Sequence, residues 1–202
     1  YFSHIKFNLM PLIDTVIEKD HQILVWKMNE SLEELLKISK NINVTKFNSI
    51  RRQKEYLTTR ILLAKVLPNI KISYNKYGAP EIKNNNFISI SHSKEILAII
   101  ISKKQVGLDI EKISTKLVKL SSKFTCKKQH MPFSNEKATL IWCCKEAMYK
   151  WHQKGKINYI TDIKVEKFIE KDKGSLVVSF KKKKFILRYK KIETHFLVYV
   201  CI

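Results

Sequence analysis

Trp142-Cys143-Cys144-Lys145-Glu146-Ala147-Met148-Tyr149-Lys150 lies inside the most apolar helical pattern of the chain. Around it Ala138, Leu140, Ile141, Trp142, Cys143, Cys144, Ala147, Met148, Tyr149 and Trp151 recur on nearly every face at helical spacing, which predicts a largely buried helix over residues 135–152. Charges in such a helix are expensive, because each buried ion costs several kcal/mol unless a partner or a metal compensates. Trp142, Glu146 and Lys150 fall at i, i+4 and i+8 and so share a face. An ion pair between Glu146 and Lys150 is the plain structural account of two of these charges, worth about 0.3–0.5 kcal/mol on a helix surface. A functional role is the other.

A second stretch, Val106-Gly107-Leu108-Asp109-Ile110-Glu111, follows the apolar run Ile96-Leu97-Ala98-Ile99-Ile100-Ile101. In a strand Val106, Leu108 and Ile110 point to one side, and Gly107, Asp109 and Glu111 to the other. The two carboxylates then stand roughly 7 Å apart at Cβ and repel each other. A hard divalent cation answers that repulsion: Mg²⁺ takes carboxylate oxygens and fills its octahedron with water and substrate phosphate.

Together the two stretches resemble the paired signatures of the 4'-phosphopantetheinyl transferase superfamily, here Gly107-Leu108-Asp109-Ile110-Glu111 and the Trp142 to Lys150 segment. Ser91-His92-Ser93 precedes the first signature, as in the larger, surfactin-synthetase-activating type of that family. The resemblance implies an α+β fold, a pseudo-dimer of two similar α/β halves. Each half would hold a small antiparallel sheet and a long helix, with the active site in the cleft between them. It implies Mg²⁺-dependent transfer of 4'-phosphopantetheine from coenzyme A to a serine of an acyl or peptidyl carrier protein, releasing adenosine 3',5'-bisphosphate. Residues 1–104 would form the half that contacts the adenosine and its 3'-phosphate, and residues 105–202 the half with the metal and phosphate motifs.

Carried over residue by residue, the resemblance assigns Mg²⁺ to Asp109, Glu111 and Glu146. Coenzyme A contacts fall to Ser91, His92, Lys145 and Lys150, and to one of Arg51 and Arg52. Glu146 and Lys150 are the candidate catalytic groups; the serine proton goes either to Glu146 or to a bound water. Tyr77-Gly78-Ala79-Pro80 resembles a turn that the family writes with Lys before Pro, so Ala79 removes a charge for which Lys76 is the available substitute. Gln129 stands where the family commonly has Glu, and is expected to orient Lys145.

Lys and Arg number 39 against 18 Asp and Glu, a net charge of +21. That excess suits a polyanionic partner: nucleic acid, anionic membrane, a phosphorylated cofactor or an acidic protein. It is dispersed, and the abundance of Lys, Asn and Ile reads equally as compositional bias. The resemblance selects coenzyme A and an acidic apo-carrier protein, with no nucleic acid, no membrane and a monomeric chain. Two rivals are a basic nucleic-acid-binding protein and a non-catalytic coenzyme A-binding member of the same fold. Cys126, Cys143, Cys144 and Cys201 lack paired metal spacing and read as small buried apolar residues in a reducing compartment. With no stretch of membrane-spanning length and no convincing signal peptide, a cytoplasmic setting is expected. Tyr1 is not an initiator, and Met10-Pro11 is the candidate start.

Elsewhere the pattern predicts a first strand over residues 23–28, a helix capped by Ser31, a longer helix over residues 50–67 stopped by Pro68, and a strand over residues 70–74. A turn follows at residues 75–80, then strands at 87–90 and 96–102, and a short helix after Ser114. An irregular loop holds Pro132, Gly155 ends the central helix, and strands over residues 176–180, 185–189 and 196–202 close the chain.

Overall fold

A computed structural model describes residues 12–40, 42–83 and 85–202, so the candidate start at Met10-Pro11 lies outside the described residues. The chain runs β1 (Leu12–Ile17), β2 (His21–Lys27), α1 (Leu32–Ile38), α2 (Ile50–Val66), β3 (Ile72–Tyr74), β4 (Pro80–Ile82), β5 (Phe87–Ser93) and β6 (Ile96–Ser102). It continues with β7 (Val106–Lys112), α3 (Thr115–Leu120), α4 (Asn135–His152), β8 (Ile163–Val165), β9 (Lys173–Phe180), β10 (Lys183–Ile192) and β11 (His195–Cys201). Among the described residues this is a mixed α+β fold with four α-helices and three antiparallel sheets.

The expected strand at residues 23–28 is the second one, and β1, β4 and β8 were not anticipated. β4 begins at Pro80, inside the segment read as a turn; as the first residue of a short strand, proline forgoes little pairing. α4 has the expected bounds, with Ser134 accepting from Lys137 N at 2.9 Å as its N-cap. Its stop differs: Gln153, at φ 58°, takes the left-handed C-cap position, two residues before the expected Gly155.

One four-stranded sheet has the order β1-β2-β6-β5, and all its strands come from residues 12–102; a five-stranded sheet, β7-β11-β10-β9-β8, is drawn from residues 106–201. Strand alternation sorts their side chains into three cores. Leu24, Trp26, Leu97, Ile99 and Ile101 meet Leu57, Ile61 and Leu62 of α2, whereas Ile23, Val25, Ile96, Ala98 and Ile100 meet Val106, Leu108, Ile110 and Leu197. On the far side Phe196, Val198 and Val200 pack with Leu176, Val178 and Leu187 against Ala138, Ile141, Cys144 and Met148 of α4. The layers are therefore helices, sheet, sheet, helix. This explains why every residue of the antiparallel strand β6 is buried: it has a helix layer on one face and the other sheet on its opposite face.

Where the sheets meet, β5 and β7 are both edge strands with backbone groups to satisfy. Ser89, Ser91 and Ser93 share one face of β5, and their hydroxyls accept from Leu108 N (3.0 Å), Ile110 N (3.2 Å) and Lys112 N (3.0 Å). Hydroxyls at a two-residue period thus stand in for strand pairing and set β7 against β5 in register.

Candidate active site

Gly107 determines how closely α4 approaches β7. A Cβ there would collide with the Ala147 carbonyl oxygen and lie 2.7 Å from Trp151 N and 2.8 Å from Trp151 Cβ, so only glycine lets the helix backbone lie on the strand. Two and four residues on, and on the same strand face, Asp109 and Glu111 are thereby brought under Trp142, Glu146 and Lys150. Asp109 is 3% exposed; its Oδ1 accepts from Ser91 Oγ at 2.7 Å and from Lys150 Nζ at 2.7 Å. Glu111 accepts from Ser93 Oγ at 3.0 Å and Trp142 Nε1 at 3.3 Å, and Glu146 accepts from the Tyr159 hydroxyl at 2.7 Å. The alternative Glu146 to Lys150 ion pair is not formed: Lys150 reaches across to the strand instead.

The electrostatics express crowding of like charge. Burial raises the Glu111 carboxyl above its usual range, and the Asp109 charge raises it further. Glu146 is raised to about 6, first by burial and then by Asp109, with the Tyr159 hydrogen bond and Lys150 working the other way. Asp109 Oδ2 is buried with no hydrogen-bond partner. Three hard oxygen donors that repel one another, one with an orphaned oxygen, are chemically suited to Mg²⁺. Among the described residues, no group of three or more His, Cys, Asp or Glu side chains stands close enough to hold a metal ion. Lys150 engages Asp109, and Tyr159 engages Glu146.

Lys150 also lines a cavity of about 370 Å³ between α2, β5, the turn before β4 and the end of α4. Phe47, Tyr56, Tyr74 and Tyr77 give it aromatic walls; Arg52, Arg60, His92 and Lys150 give it positive or imidazole groups. Alternation along β5 splits the Ser91-His92 pair: Ser91 faces Asp109, while His92 faces α2 and the cavity. Of the two candidate arginines, Arg52 lines the cavity, with Nη1 3.2 Å from His92 Nε2, whereas Arg51 approaches Glu55 from outside the lining. Gly78, Ala79 and Pro80 line the cavity, but Lys76 does not, its ammonium lying 5.1 Å from the Tyr77 ring centroid.

Two further sequence expectations meet a different geometry. Lys145 is 2% exposed, and its ammonium donates to the backbone carbonyls of Tyr159, at 2.5 Å, and Ile163, away from the cavity. Burial lowers its pKa to about 8. Because those carbonyls hold Lys145, the amide of Gln129 is not what orients it; Gln129 is exposed, in the turn at residues 127–130. Cys143 and Cys144 are buried as expected, but Cys126 is exposed.

Sequence reasoning missed Ser89, Glu55 and Tyr159, and gave Ser93 of the Ser91-His92-Ser93 motif no role of its own. The serines left a signal in their two-residue spacing along a strand. Tyr159 left none, because it reaches Glu146 from the loop after α4. Residues 105–201 match the model of the 4'-phosphopantetheinyl transferase superfamily. No curated protein matches the chain significantly. No helix is long and apolar enough to cross a membrane among the described residues.

Proposed function

From the premise that residues 105–201 belong to the 4'-phosphopantetheinyl transferase superfamily, we propose that the protein transfers 4'-phosphopantetheine from coenzyme A to a carrier-protein serine. In this reading the chain is of the larger, two-half type, divided at 104/105. The two halves form a pseudo-dimer, and the active site is the cleft between them. The observation that carries it is Lys150, whose ammonium touches Asp109 and also lines the cavity bearing Arg52 and His92. Carboxylates suited to a cation and a basic, aromatic-walled cavity thus adjoin through one side chain.

Asp109, Glu111 and Glu146 would hold Mg²⁺ only after Lys150 and Tyr159 release Asp109 and Glu146 and the three carboxylates draw together; the ion when bound would supply Lewis-acid neutralisation of the diphosphate. The chain's own residues do the rest. Arg52 and His92 bind the 3'-phosphate, with the tyrosines offering flat apolar surface to the adenine. Lys150 exchanges its contact with Asp109 for the diphosphate and spreads the charge that develops as the leaving group departs. Glu146, beside the place where the hydroxyl must enter, is one candidate to accept the serine proton, and a water is the other. Lys145 acts indirectly, by fixing the loop that delivers Tyr159 to Glu146. The carrier is acidic, docking on a chain of net charge +21, and the setting is cytoplasmic with the enzyme a monomer.

Calorimetric titration with coenzyme A, with and without Mg²⁺, tests the reading against nucleic-acid binding. Saturable binding that strengthens with Mg²⁺ is expected. Affinity for duplex or single-stranded DNA that ignores both coenzyme A and Mg²⁺ would favour the rival.

A further inference from the structure

A carboxylate is an unexpected wall for a cavity that is to take phosphates, since like charges repel. Glu55 of α2 is such a wall, only 5% exposed. Three side chains converge on it: Arg51 Nε lies 2.9 Å from Oε1, Arg52 Nη1 3.1 Å from Oε2, and His92 Nδ1 3.2 Å from Oε1. The last approach is not aligned as a hydrogen bond, and His92 Nδ1 is otherwise buried without a partner. Arg52 Nη1 in turn stands 3.2 Å from His92 Nε2. The two arginine side chains are 58% and 63% exposed, so among the described residues their direction is fixed by Glu55 and, for Arg52, by His92 as well.

We propose that Glu55 is a positioning residue for the anion site: it holds Arg52 and His92 in one orientation, facing the cavity, and so favours the 3'-phosphate of coenzyme A although its own charge opposes that ligand. This rests on the proposed function. The physical ground is that Arg52 and His92 belong to different elements, α2 and β5, and that among the described residues Glu55 is the carboxylate both approach, with Arg52 also reaching His92. Without it two guanidinium groups would repel each other, and Arg52 would swing to solvent. An arginine fixed by a carboxylate offers its remaining N–H groups in a set fork, the form in which guanidinium recognises phosphate best.

The test compares coenzyme A with 3'-dephospho-coenzyme A by calorimetry on the full chain, with folding checked by circular dichroism. Wild type should prefer coenzyme A. Glu55→Gln, which keeps shape and loses charge, should lower coenzyme A affinity about tenfold while leaving 3'-dephospho-coenzyme A nearly unchanged. In the Arg52→Gln background the same change should have little further effect. Tighter coenzyme A binding by Glu55→Gln would overturn the proposal, because simple repulsion would then dominate. Equal weakening for both ligands would overturn it too, by marking Glu55 as merely structural. Should Glu55→Gln fail to fold, Glu55→Asp is expected to lose part of the preference, and an unchanged preference would overturn the proposal. Absence of coenzyme A binding by wild type would instead fell the proposed function, and this inference with it.

Discussion

The Lys150 ammonium stands 2.7 Å from Oδ1 of Asp109, and the same oxygen takes the Ser91 hydroxyl at 2.7 Å. One aspartate thereby ties together α4, β7 and β5, with its second oxygen left over in a buried, polar corner. Asp109→Asn keeps the volume and removes the charge. Transfer should fall by at least about 10²-fold, with a thermal transition close to that of wild type. Near-normal turnover at saturating Mg²⁺ would show that Asp109 is not a ligand.

How much of this was legible follows from the kind of signal each element leaves. α4 and β7 were readable because each buries side chains at its own period, and Gly107 stands in the strand where a glycine marks close backbone approach. Lys145 could have been placed: it sits among Ile141, Cys144 and Met148, and a lysine on so apolar a surface needs backbone acceptors. Its reading as a phosphate contact came from the motif alone. The cavity was not legible, because its walls come from α2, β5, a turn and the end of α4, and only tertiary packing brings these together. β1 and β8 escaped because one carries little buried surface and the other has only three residues.

Gly107→Ala should destabilise the fold by about 1–3 kcal/mol or more, because the added methyl meets helix backbone, which cannot rotate away. Chemical denaturation measures this directly. A stability equal to that of wild type would mean that α4 and β7 are farther apart than described.

Lys145→Met separates structure from ligand binding. Two carbonyls, one buried and one partly buried, lose their donor, so unfolding free energy should drop by about 1–3 kcal/mol, while the folded variant binds coenzyme A as wild type does. A loss of affinity without a loss of stability would return Lys145 to the phosphate site.

His195 is fully buried, and its Nε2 has no hydrogen-bond partner. Burial lowers its pKa, Glu95 acting in the opposite sense and Lys112 in the same one. The folded state therefore binds fewer protons than the unfolded state, whose imidazole titrates near 6.5, and stability is lost as pH falls through and below that value. Unfolding free energies measured from pH 7.5 to 5.5 should decline more steeply for wild type than for His195→Asn. Parallel curves would show that His195 takes up its proton in the folded protein.

Mass spectrometry of an apo-carrier protein incubated with the chain, coenzyme A and Mg²⁺ tests the central claim most directly. The expected result is a carrier heavier by one phosphopantetheine on its serine, with adenosine 3',5'-bisphosphate released in equal amount, and no such product when Mg²⁺ is chelated or Asp109→Asn is used. A carrier of unchanged mass, from several acidic carriers and a chain shown to bind coenzyme A, would contradict it and leave a coenzyme A-binding protein without transfer chemistry.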